Sequence, residues 1–168
     1  MSYETKAKKE SKLDIDNNFD LQLVKTLSPA LRWVLTLPIA FLAMFVIQIG
    51  YGFIVKLILS NFAQDGIVSI IGNSTVMLAK YTVFVIAATS TAPVARNKKF
   101  IIAIVSALIG ALLCVGGTAI AISVAVSTDN TMLIATFAAS MVGLLLGIWK
   151  VRSATSKLLI EENKASQL

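Results

Sequence analysis

Lys80 falls inside an apolar run, one or two turns from the end of the run that lies opposite the chain termini. An ammonium group placed among apolar residues marks a functional site by default, because its burial is costly unless something uses the charge. Its chemistry suits an anionic substrate, a lipid phosphate or a carboxylate such as Asp65 or Asp129. The plainer reading is a side chain that reaches back to the membrane interface beside Tyr81. Lys56 ends the preceding apolar run and is a second candidate for an anion or lipid contact. With Ser69 or Ser74 as nucleophile, Lys80 would form a serine–lysine dyad, although no local motif supports one. Gln48, Thr82 and the collar Thr89-Ser90-Thr91 are the polar groups available to line a path. The competing role for such groups is hydrogen bonding between helices or back to the preceding turn.

Absences narrow the chemistry further. The apolar runs contain neither Asp nor Glu, which excludes carboxylate catalysis within them and weighs against a proton-coupled exporter. They also lack the spaced arginines of a voltage sensor. There is no histidine, so the usual general base, zinc ligand and haem ligand are missing. The single cysteine, Cys114, cannot form a disulfide within the chain and reads as a small packing residue. No catalytic set, metal site or cofactor is expected, and the protein reads as non-enzymatic.

The elements that carry these residues follow from hydropathy. The chain has 168 residues, 57% of them hydrophobic and 14% charged, with a mean hydropathy of +0.81. A soluble domain of that size needs more polar surface, so an all-α integral membrane protein is expected. Four transmembrane helices are predicted, over about 31–60, 74–95, 100–126 and 131–149. They make a transmembrane domain at 29–150, between a polar tail at 1–28 and a short tail at 151–168. Ser28-Pro29 reads as a helix start, with serine at the cap and proline in the first turn. Pro38 is expected to kink the first span. The mixed charges of Lys6, Lys8, Lys9, Lys12, Asp14 and Asp16 favour disorder up to about Asp16. Beyond them Phe19, Leu23 and Leu27 recur four apart, which fits either a short interfacial helix or an irregular lead-in.

Small residues mark the packing faces. Ala135, Ala139, Gly143 and Gly147 form one stripe, and Ser106, Gly110, Cys114 and Thr118 form another. Such stripes let helices approach closely in lipid. The short link Ser127 to Asn130 makes the third and fourth spans antiparallel neighbours, so their mutual packing is expected.

The formal net charge of +6 sits beside the spans, which points to anionic headgroups and away from nucleic acid. Lys25, Arg32, Arg96, Lys98, Lys99, Lys150, Arg152 and Lys157 share one side, so both termini are expected in the cytoplasm. The pattern resembles the small four-span inner-membrane proteins of bacteria, and that resemblance implies the bacterial cytoplasmic membrane. The leading functional expectation is a subunit or accessory protein that packs against other helices, from its own copies or a different protein. The alternatives are a homo-oligomeric transporter or channel using Lys80 and the collar, and a holin-like protein that permeabilises the membrane.

Overall fold

The computed structural model describes residues 14–16, 18–60, 66–124 and 130–165. It is all-helical, with four helices long and apolar enough to cross a membrane: α1 (Pro29–Leu59), α2 (Ile67–Thr91), α3 (Lys99–Val124) and α4 (Asn130–Ala165). Extended pairing among the described residues is limited to one bridge, between Ile15 and Leu21.

Helix ends follow local chemistry. Ser28 caps α1, its Oγ accepting the Leu31 N–H at 3.4 Å, with Pro29 in the first turn. Pro38 lies within α1, which continues to Leu59. α2 stops before Pro93, whose ring disfavours helical backbone at Ala92, and Ala92 is extended. Two boundaries differ from expectation. α2 begins at Ile67 rather than near Ser74, so Ile67 to Ile71 are helix and not connection. α4 runs past Lys150 to Ala165, with Val151 and Thr155 buried, where a tail was expected.

α2 is the hub. It packs against α1, α3 and α4, whereas α1 leans on α2 and on no other helix to a comparable extent. Gly143 and Gly147 of α4 face α2: a Cβ at Gly143 would lie 2.5 Å from the Leu78 carbonyl oxygen, and one at Gly147 2.7 Å from the Val85 Cβ. α4 also packs directly on α3, as the short loop suggests, but its more extensive contact is with α2. α3 joins through the buried face formed by Ala103, Ser106, Ala107, Gly110 and Cys114. At Gly110 the three helices meet, with Leu144 on one side and the Phe84 ring on the other. Ala135 and Ala139 are only half-buried.

The segment before α1 is a compact loop with one 3-10 turn, Gln22–Val24. Asp16 organises it, its Oδ1 accepting the N–H groups of Asn18 and Asp20 at 2.9 Å each. Phe19, at φ 61°, occupies the left-handed region that non-glycine residues rarely adopt, and its ring is buried against the helix core. Leu23, expected to share a face with Phe19, is half exposed. Asp14 to Asp16 are hydrogen-bonded into this loop, where the charge pattern had favoured disorder. Lys6, Lys8, Lys9 and Lys12, with Asp65 and Asp129 of the two links, lie outside the described residues.

Candidate functional site

Charge meets α2 at two places: a cluster from neighbouring segments gathers at its C-terminal end, and Lys80, its own single charged residue, stands midway along it. The last carbonyls of any helix lack partners within that helix. In α2 these are capped from three other segments. Lys99 Nζ, at the start of α3, donates to the Thr89 oxygen at 3.0 Å and the Ala92 oxygen at 2.7 Å. Arg32, in the first turn of α1, donates through Nε to the Thr91 oxygen at 3.1 Å. The Leu21 N–H of the N-terminal loop donates to the Ser90 oxygen at 2.9 Å. Cations suit this position because the helix C-terminus carries partial negative charge.

One carboxylate completes the cluster. Asp20 Oδ1 accepts from Arg32 and from Lys99, at 2.6 Å each. Lys99 has a fully buried side chain, and those of Arg32 and Asp20 are 9% and 14% exposed. Burying two cations against one anion is costly, and the three carbonyls that accept from them, of Thr89, Thr91 and Ala92, offset part of what a second carboxylate would supply. Nearby, Arg96 donates to the Thr155 oxygen at 3.0 Å, and the Arg152 guanidinium lies 5.7 Å from the centroid of the Phe100 ring. The N-terminal loop and all four helices are therefore joined at one end.

Lys80 is differently placed. Because α2 starts at Ile67, Lys80 stands midway along it, roughly 20 Å from the first residue and 16 Å from the last at about 1.5 Å per residue. It was expected one or two turns from the edge. Its amine donates to Gln48 Oε1 on α1 at 3.3 Å and lies 6.0 Å from the centroid of the Tyr81 ring. No carboxylate among the described residues pairs with it. Crevices flank this contact. One, of about 260 Å³, lies between α2, α3 and α4 and is bounded by Met77, Lys80, Tyr81, Cys114, Thr118 and Ser140. The other, of about 270 Å³, lies between α1 and α2 and includes Gln48, Gly52, Lys56 and Asn73. Gln48 and Lys80 are thus brought together, with Lys56 across the second crevice.

The remaining polar candidates are turned to other uses. Thr82 shares its hydroxyl between the Leu78 oxygen at 2.8 Å and the Gly143 oxygen of α4 at 2.9 Å. Thr89, Ser90 and Thr91 are buried, and their hydroxyls bond back to Val85 and Ala87. They stand roughly 13 to 16 Å along the helix from Lys80. The collar and Lys80 therefore do not share a lining. Ser74 lies roughly 9 Å along the helix from Lys80 and Ser69 farther still, so neither reaches its amine for a dyad.

Sequence reasoning missed the Asp20–Arg32–Lys99 cluster. Arg32 and Lys99 looked like ordinary edge cations, and Asp20 looked like part of a solvated tail. A usable signal was present: Asp20 is the last carboxylate before the apolar runs begin. Comparison with protein-family models, curated proteins and solved structures finds no match.

Proposed function

We propose that this chain is a non-enzymatic subunit of a membrane assembly, inserted with both termini in the cytoplasm and acting by packing against the helices of another protein. The observation that carries this reading is the build of α1. Only Arg32, Thr36, Ala40, Met44 and Val55 are buried along its length. Phe45, Val46, Phe53 and Ile54 leave more than half of their surfaces open. A helix held along one narrow line, with the rest of its apolar surface uncovered, suits a place between this bundle and another. The basic residues gathered at one end support the cytoplasmic placement of that end, and the bacterial inner membrane is the setting that fits the pattern.

The test is the mass of the intact complex, purified from its native membrane in mild detergent. Different subunits bound in fixed ratio are the expected result. A mass equal to one copy, or to a multiple of this chain alone, overturns the reading. Orientation is checked separately with a cysteine introduced at Ser153 in a Cys114→Ala background. An impermeant thiol reagent should label it only after the cells are opened.

The transporter alternative retains one supporting observation, the Lys80–Gln48 contact flanked by two crevices. It predicts that Lys80→Ala abolishes flux in reconstituted vesicles.

A further inference from the structure

The geometry points to Lys80 as the recognition point for a partner transmembrane helix, from a different protein, that carries an aspartate or glutamate midway along its span. This inference rests on the subunit reading above and names the chemistry of the partner.

Three observations select that occupant. Lys80 places a half-buried amine midway along α2, and its hydrogen-bond partner is the neutral amide of Gln48. An ammonium group near the centre of a bilayer costs about 3 kcal/mol when nothing offsets it, and a carboxylate is the partner that offsets it best. A phospholipid phosphate is poorly placed to do so. The hydrocarbon core is about 30 Å thick, and Lys80 stands near the middle of its helix, far from either headgroup layer.

A second copy of this chain is no better. The apolar stretches 29–59, 67–91, 99–124 and 130–149 contain neither Asp nor Glu. Self-association through this face would therefore bring a second lysine and no carboxylate. Room for a helix exists at this level, since a Cβ built on Gly50 of α1, or on Gly116 or Gly117 of α3, meets nothing within 4 Å. The charge demands an anion, the depth demands one carried inside the membrane, and the chain's own composition demands that it come from elsewhere.

The experiment uses the full chain in phosphatidylcholine vesicles with a fluorescent synthetic helix of leucine and alanine. The helix bears one central aspartate or, as a control of equal size, one central asparagine. Binding of the aspartate helix is expected to be about tenfold tighter than that of the asparagine helix, in line with interhelical polar contacts in lipid. Lys80→Met should remove the difference and Lys80→Arg should retain it. Equal binding of the two helices overturns the inference, as does a preference that survives Lys80→Met. Loss of the preference when phosphatidylglycerol is added reassigns the amine to a lipid phosphate, and self-association that depends on Lys80 reassigns it to a second copy. Either result also overturns it. The native mass is read independently. A complex with a different subunit but no aspartate preference removes this inference alone. A preference together with a native mass of one chain removes the subunit reading and leaves the charge site standing.

Discussion

At the end of α2 two buried cations share one carboxylate and cap the last carbonyls of the helix. Midway along the same helix a third cation has a single amide. Both places hold charge among apolar residues, but only the first satisfies it from within the chain. A cation whose hydrogen bonds are all taken by its own fold belongs to the scaffold. A cation left with a neutral partner is available for something that binds. The difference separates residues that hold the molecule together from the residue best placed to recognise another.

The sharpest way to break this comparison is to remove the shared carboxylate. Asp20→Ala leaves Arg32 and Lys99 buried side by side, and should cost roughly 3–5 kcal/mol of unfolding free energy in detergent micelles. A loss below about 1 kcal/mol would mean that the cluster is not a scaffold element.

The two lysines give a direct contrast. Lys99→Met strips donors from the Thr89 and Ala92 carbonyls and should cost about 1–3 kcal/mol. Lys80→Met removes a cation that only a neutral amide offsets, so it should leave the stability of the isolated chain unchanged or raise it, by up to about 3 kcal/mol. Equal losses in the two variants would erase the distinction.

Glycines sharpen the same division between filled and open faces. Gly143→Ala drives a methyl group against the Leu78 backbone and should cost about 1–3 kcal/mol. Gly117→Ala enters open space and should be neutral or slightly stabilising, through the better helix propensity of alanine. Thermal unfolding of the two variants side by side decides the point.

The smallest effect is expected from pH at the N-terminal loop. Burial pushes the Asp16 carboxyl up, but the N–H groups of Asp20 and Asn18 and the Lys25 amine together hold it below the ordinary 3.8. A carboxyl lowered in the folded state stabilises the loop fully above its unfolded value, and this is lost as pH falls through the lowered one. Amide exchange at Asn18 and Asp20 should therefore quicken below pH 3.8 and be insensitive to pH-linked opening above it. Asp16→Asn should remove that dependence.

Hydropathy made the helices legible, because long apolar runs admit few other structures. Ser106, Gly110 and Cys114, which recur at helical spacing in the sequence, are buried along α3. The start of α2 was harder to read. Gly72-Asn73-Ser74 looks like the end of a connection, yet Gly72 is helical and makes room for the neighbouring helix. A Cβ there would lie 2.9 Å from Leu59 Cδ1 and 3.0 Å from Val55 Cγ1. That tertiary reason for a glycine is invisible in one sequence, and it moved Lys80 from the edge of a span to its middle. The ionic cluster was hidden by distance, since Asp20 meets Lys99 only once the fold has closed. Patterns within a helix were readable, and pairings between separate segments were not.

The caps on α2 also set an order of events during synthesis. Asp20 leaves the ribosome long before Lys99 exists, and its loop cannot find both partners until α1 and α2 are made and α3 has begun. The segment translated early is therefore among the last to dock. Until it does, the end of α2 lacks the Leu21 donor and both cations lack their carboxylate. A nascent chain halted before Lys99 should hold the loop at 18–28 open to protease, and release past that point should close it.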